Sequence, residues 1–253
     1  MLLTSGCSFV WGDELEGFDQ DPPAHKHLTF SHQLAEKLEM PYMNISSCGN
    51  GNDKIFRDTC HFLRTSPTPI THVVVLWSHW QREEIAQITV ESEREGKKVI
   101  RYHNMAQFSP SRLKSFPEHL EKAYRNLYCY YDPLRTKILH TVTYMTHLQW
   151  VCESLGIKLI QGVMHKKMRA GLALALHPAN TRGERNWTDW VVFVKRELSH
   201  LKETSRIGIP DFEDMFSMGE RLGDMKPHGH PGEETHKQYA ELLYNIFMSR
   251  FED

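Results

Sequence analysis

The apolar residues of this chain follow two periods, and their alternation predicts its architecture. Ile70-Thr71-His72-Val73-Val74-Val75-Leu76-Trp77 is β-branched and apolar on both faces, the pattern of a strand inside a parallel sheet covered by helices on both sides. Ile157 to Val163 repeats that pattern, and Met1-Leu2-Leu3 and Tyr42 to Ile45 are shorter runs of the same kind. Helical spacing fills the gaps. Leu34, Ala35 and Leu38 follow a serine cap at Ser31 and stop before Pro41; Ile55, Phe56 and Phe62 mark a second helix from Lys54 to Leu63. Ser115-Phe116-Pro117-Glu118 has a capping-box pattern and opens a helix to about Tyr130. Asp132-Pro133 opens another, which runs to Leu155 and stops at Gly156. Trp187 to Leu201 is helical through Trp190, Val191, Phe193, Val194 and Leu198. Pro231 and Glu233-Glu234 form the first turn of the last helix, whose apolar face is Tyr239, Leu242, Leu243, Ile246 and Phe247.

Strands that alternate with helices predict an α/β fold: a three-layer, doubly wound parallel sheet of about five strands. One domain over residues 1–253 is expected, since that length suits a single buried core. Two stretches interrupt the alternation. At about 84–114, Ile85 to Val90 and Lys98 to Tyr102 look like strand pieces around a charged turn, an insertion of hairpin type. At about 165–205 a basic connection (Lys166, Lys167, Arg169, Arg182, Arg185) precedes the helix of Trp187 and Trp190. Those residues are either a receptor for an acidic or sugar-like group or a solvated face beside core tryptophans.

Composition narrows the function. Thirty basic and thirty-two acidic residues give a net charge of −2, which offers no electrostatic footprint for nucleic acid. Five cysteines without a CxxC pair fit neither a disulfide framework nor a zinc ribbon. The N-terminus lacks the basic and long apolar regions of a signal peptide, and no run is long enough for a membrane span; a cytoplasmic protein is expected. Among sixteen histidines, His25-Lys26-His27 and His228-Gly229-His230 lack further ligands at recognisable spacing, so no metal and no other cofactor is expected.

The candidate chemistry lies at the strand ends. Met1-Leu2-Leu3 runs into Gly6-Cys7-Ser8, with Gly12-Asp13 behind it: a buried strand, a tight turn and a hydroxyl where α/β sheets place their ligand crevices. Ser8 is either a helix cap or a nucleophile. The loop from Ser46 to Asp53 follows the second strand, Ser78-His79-Trp80-Gln81-Arg82 the third, and His230 immediately precedes the last helix. A hydroxyl, backbone donors and an imidazole on one rim are the parts of an acyl-transfer site.

In these residues the chain resembles the SGNH/GDSL hydrolase superfamily. Gly6 to Leu15 looks like the first block of that family, in the variant where serine follows Gly-Cys; Asn44 to Ile55 looks like the second, and His230 to His236 with Tyr239-Ala240 like the fifth. The resemblance implies a flavodoxin-like sheet and an esterase with Ser8 as nucleophile, His230 as base, and an oxyanion hole from the N–H groups of Ser8 and Gly49. Two positions depart from the family pattern. The asparagine of the third block is absent after Leu76-Trp77, which leaves Ser78 or His79 as the further donor. Pro227 stands where an aspartate normally precedes the histidine, so either Asp224 reaches back to His230 or a backbone carbonyl holds the ring. Asn52, Trp80, Arg82 and His228 are the expected substrate contacts, and the substrate a small-molecule, carbohydrate or lipid ester. The departures keep two alternatives open: a binding or assembly protein that retains the fold, and an acyltransferase.

Overall fold

The computed structural model describes residues 1–19, 25–80, 82–94, 97–108, 133–166, 168, 170, 185–205 and 213–251. In chain order its elements are β1 (Leu2–Ser5), α1 (Ser8–Trp11), α2 (Phe30–Lys37), β2 (Tyr42–Asn44), α3 (Asn52–Thr65), β3 (His72–Trp77), β4 (Glu83–Arg94), β5 (Lys97–Phe108), α4 (Pro133–Ser154), β6 (Lys158–Val163), α5 (Arg185–His200), α6 (Met215–Leu222) and α7 (Glu233–Phe251).

Four strands form one parallel sheet in the order β2-β1-β3-β6, with helices packed against it in an α/β fold. β1 is central, with Leu3 level with Met43 on one side and Val73 on the other. β3 continues the sheet to β6, with Val74 opposite Ile160. All four residues of β1 are buried, and five of the six in each of β3 and β6, which is why these strands carry continuous apolar runs. About five strands were expected, and four are described. The predicted helix from Ser115 to Tyr130 lies outside the described residues.

The chain moves from β1 to β2 in one direction and from β2 past β1 to β3 in the other. Right-handed crossovers then put α2 on one face and α3 and α4 on the opposite face. The contacts follow that rule: α2 and α6 pack on α7, and α3 and α5 pack on α4. The reversal between β1 and β3 opens a crevice beyond the carboxyl ends of these two strands. Gly6 makes the close approach possible there, since a Cβ would stand 2.3 Å from Val10 Cγ2 and 3.0 Å from the Leu76 carbonyl oxygen.

Residues 83–94 and 97–108, where an insertion was expected, form a two-stranded antiparallel ribbon that pairs Val90 with Ile100. The cap of α2 differs from expectation: Thr29, not Ser31, receives the His32 N–H, and Ser31 is buried inside the helix. α4 and α5 begin and end close to their predicted limits, and Gly156 takes the left-handed conformation expected of a helix stop (φ 67°).

Candidate active site

The site is built by two loops, one after β1 and one before α7. α1 is a single turn, and Gly12 ends it at φ 87°, a conformation in which a side chain would also press on Leu15, Thr29 and His25. The N–H groups of Gly12 and Asp13 both return to the Ser8 carbonyl, at 2.9 and 3.0 Å. Glu14 then takes φ 66°, a left-handed conformation unusual for a residue with a side chain. Two successive turns thus bring the carboxylates of Asp13 and Glu14 back over the start of α1.

The second loop delivers the imidazole. Lys226 N–H donates to the His230 carbonyl at 2.8 Å, and Gly229, at φ 84°, closes the turn between them. The loops are tied to each other: Glu14 accepts the His228 N–H at 3.2 Å, and Glu233 accepts the Glu16 N–H at 3.3 Å and the Lys226 ammonium at 3.0 Å. The edge of the His230 ring meets Phe9, with centroids 5.5 Å apart and planes at 73°, which limits its tilt.

Ser8 and His230 meet. Ser8 Oγ is 3.0 Å from His230 Nε2, and His230 Nδ1 is 2.8 Å from Glu14 Oε2. An ionised carboxylate only accepts, so Nδ1 carries the proton toward Glu14 and Nε2 is left to accept from the Ser8 hydroxyl. Burial pushes the Glu14 carboxyl up, but hydrogen bonds from the His230 ring and the His228 N–H, with the charge of His230, outweigh it and hold the group below the usual carboxylate value. Asp13 Oδ2 lies 3.3 Å from the same Nε2. The arrangement can move a proton from a serine hydroxyl to an imidazole that Glu14 orients, and hold the resulting imidazolium against the Glu14 carboxylate.

The acid expected from the sequence is elsewhere. Asp224 Oδ2 accepts the Thr235 N–H at 2.7 Å and the Thr235 hydroxyl at 2.9 Å, and its carboxylate is spent on the first turn of α7. Glu14, six residues after Ser8, stands at the ring in its place. Its signal in the sequence was slight: a carboxylate in the Gly12-Asp13-Glu14-Leu15 turn, six residues after the serine.

The second strand's loop is anchored beside Ser8. Asn50 Nδ2 donates to the Gly6 carbonyl at 2.9 Å and Asn44 Nδ2 to the Val10 carbonyl at 2.9 Å, so Gly49 (φ 77°) is held against the β1 turn. Among the described residues the N–H groups of Ser8 and Gly49 take no backbone carbonyl as partner. Burial, then the neighbouring Asp13 carboxylate, push the thiol of Cys48, next to Gly49, up to about 12, so it stays neutral.

The expected substrate contacts divide. Asn52 is buried: its amide accepts the Ser78 N–H at 2.7 Å and donates to the Ser78 carbonyl and to Thr141 Oγ1, both at 3.0 Å. It locks the end of β3 to α3 and faces no crevice. Trp80 is likewise core, with its indole N–H on the Met168 carbonyl at 2.9 Å. Ser78 is fully buried and its Oγ accepts from Arg82 Nη1 at 3.1 Å, while the half-buried His79 receives the Arg82 N–H on its carbonyl at 3.0 Å. The His228 ring is exposed and lies 4.0 Å from Glu14 Oε1; its N–H is the part that acts on the site. The side chains of Trp187 and Trp190 lie outside the described residues.

Among the described residues no group of three or more His, Cys, Asp or Glu is arranged to hold a metal ion, and no helix is long and apolar enough to cross a membrane. No protein-family model matches the chain. No curated protein matches it in sequence. Solved structures do match. The psychrotrophic esterase EstA from Pseudoalteromonas sp., in a structure inhibited by monoethylphosphonate, is 11% identical with a TM-score of 0.48 over 100% of this chain and 98% of that one. A member of the lipolytic protein G-D-S-L family from Veillonella parvula is 8% identical, with a TM-score of 0.45 over 99% of this chain and 98% of that one. A family two carbohydrate esterase from Clostridium thermocellum, in complex with cellohexaose, is 13% identical, with a TM-score of 0.49 over 98% of this chain and 63% of that one.

Proposed function

We propose that this chain is a serine esterase of the SGNH type, with Ser8 as nucleophile, His230 as general base and Glu14 as the carboxylate that orients the imidazole. The observation that carries the reading is the continuous relay from Ser8 Oγ to His230 Nε2 at 3.0 Å and from His230 Nδ1 to Glu14 Oε2 at 2.8 Å. Ser8 Oγ attacks the ester carbonyl while its proton passes to Nε2, and the negative charge moves to the carbonyl oxygen. The N–H groups of Ser8 and Gly49 receive that oxygen. The intermediate collapses as Nε2–H protonates the leaving alcohol. Water then attacks the acyl-Ser8 ester by the same route in reverse, the acid leaves, and Ser8 recovers its proton.

The substrate class is an acyl or acetyl ester of a small molecule, carbohydrate or lipid. The test is hydrolysis of a panel of p-nitrophenyl esters, acetate to decanoate, and of acetylated sugars by the purified protein. Turnover of at least one of them that disappears in Ser8→Ala is the expected result. Turnover retained in Ser8→Ala, or none on any ester from a protein shown to be folded, would reject the proposal.

A further inference from the structure

Resting on the Ser8–His230 reading, we propose that Asp13 binds the water that cleaves the acyl-enzyme and so makes water, rather than an alcohol, the acceptor of the acyl group. Glu14 occupies Nδ1 of His230, which leaves Nε2 as the one nitrogen that exchanges protons with the reactants. Two oxygens flank that nitrogen: Ser8 Oγ at 3.0 Å and Asp13 Oδ2 at 3.3 Å. The neutral ring accepts from the serine hydroxyl and has nothing to give a carboxylate. A carboxylate so close to a lone pair therefore calls for a donor that lies beside both and bridges them.

Acylation changes what that donor is. Once Ser8 Oγ carries the acyl group it has no proton, and Nε2 is free to accept from the incoming nucleophile. An oxygen placed about 2.8 Å from both Nε2 and Asp13 Oδ2 fits across their 3.3 Å separation. Water satisfies both groups, one hydrogen to the ring and one to the carboxylate. An alcohol has a single hydrogen, which the ring must take, and its remaining lone pairs then face the Asp13 anion.

Asp13 is built to hold that position. Its side chain is 21% exposed, open enough to admit water from the crevice. The step balances: water oxygen bonds to the acyl carbon, its proton goes to Nε2, the acyl–Oγ bond breaks, and the proton returns from Nε2 to Ser8. Asp13 stays ionised throughout.

The experiment follows p-nitrophenyl acetate by stopped flow in wild type, Asp13→Ala and the isosteric Asp13→Asn, with and without methanol as a competing acceptor. The burst of p-nitrophenol reads acylation, the steady rate reads deacylation, and methyl acetate against acetate reads acceptor choice. Asp13→Ala is expected to acylate at close to the wild-type rate, to release one p-nitrophenol per enzyme, and then to turn over about 10- to 100-fold more slowly, with a larger methyl acetate share. Asp13→Asn keeps one acceptor oxygen and should fall between. Equal slowing of burst and steady rate in both variants would make Asp13 a positioning group for His230 and overturn the proposal, as would an unchanged methyl acetate share. A wild type without a Ser8-dependent burst would instead refute the Ser8 reading, and this proposal with it.

Discussion

Asp224 and Glu14 both lie within reach of the loop that carries His230, and they do opposite things. Asp224 belongs to that loop, yet both of its contacts run to Thr235, so it fixes where α7 begins. Glu14 belongs to a loop more than two hundred residues away in sequence, yet its oxygen meets the imidazole at 2.8 Å. The difference teaches that nearness along the chain does not choose the acid; unsatisfied backbone donors do. The first turn of a helix exposes N–H groups, and a carboxylate just upstream is drawn to them, whereas a carboxylate turned back by two left-handed residues has only the ring and one loop N–H to face.

Substitutions that separate these two roles test the comparison, and the largest effects should come from the relay itself. Ser8→Ala is expected to lower kcat more than about 1,000-fold on any ester the wild type cleaves, with an unchanged thermal midpoint, as followed by p-nitrophenol release and calorimetry. Glu14→Gln should lower kcat by about 100- to 10,000-fold, since an amide that can present its NH2 to the ring no longer enforces the tautomer that leaves Nε2 free. Asp224→Ala should do the reverse. It leaves kcat within about threefold and lowers unfolding free energy by about 1–3 kcal/mol, because the Thr235 N–H and hydroxyl lose their acceptor. If Asp224→Ala destroys activity in a folded protein while Glu14→Gln does not, the two assignments are exchanged.

The smallest effect is a pH dependence carried by histidines away from the relay. Burial pushes His236 down to about 3, and its Nδ1 accepts the Phe30 N–H at 3.0 Å, which joins α2 to α7. Burial, with Lys158 and the N-terminal ammonium, pushes His72 down to about 4. Both stay neutral in the folded protein at a pH where the unfolded chain already takes up protons. Stability is therefore full above about 6.5 and falls as pH drops below it, with the His72 contribution exhausted near 4. Urea unfolding at pH 7.5 and pH 5 should give a lower midpoint at the acid pH, and His72→Gln should reduce that difference.

The sheet was legible because burial on both faces leaves a mark that needs no context: the continuous runs of β3 and β6 read directly as covered parallel strands. Ser8 and His230 were legible because a hydroxyl after the first strand and an imidazole before the last helix survive as short patterns in a fixed order. Glu14 was not, since its placement depends on φ 66° in a residue that has no need of it by composition. Asn52 and Trp80 failed for another reason. A polar group at a strand end points either into the crevice or beneath it, and the sequence is the same in both cases; only the Ser78 backbone and the Met168 carbonyl decide which. At the end of β3 the space is held by Ser78, Asn52 and Arg82 acting on one another.

The central claim is that Ser8 is activated through His230 by Glu14, and covalent labelling by a fluorophosphonate tests it most directly. Intact-mass and peptide analysis should find a single adduct on Ser8 in wild type and none in Ser8→Ala. The labelling rate should be little changed in Asp224→Ala and about 100-fold lower or less in Glu14→Gln. An adduct on another residue, or labelling of Glu14→Gln at the wild-type rate, would contradict the account.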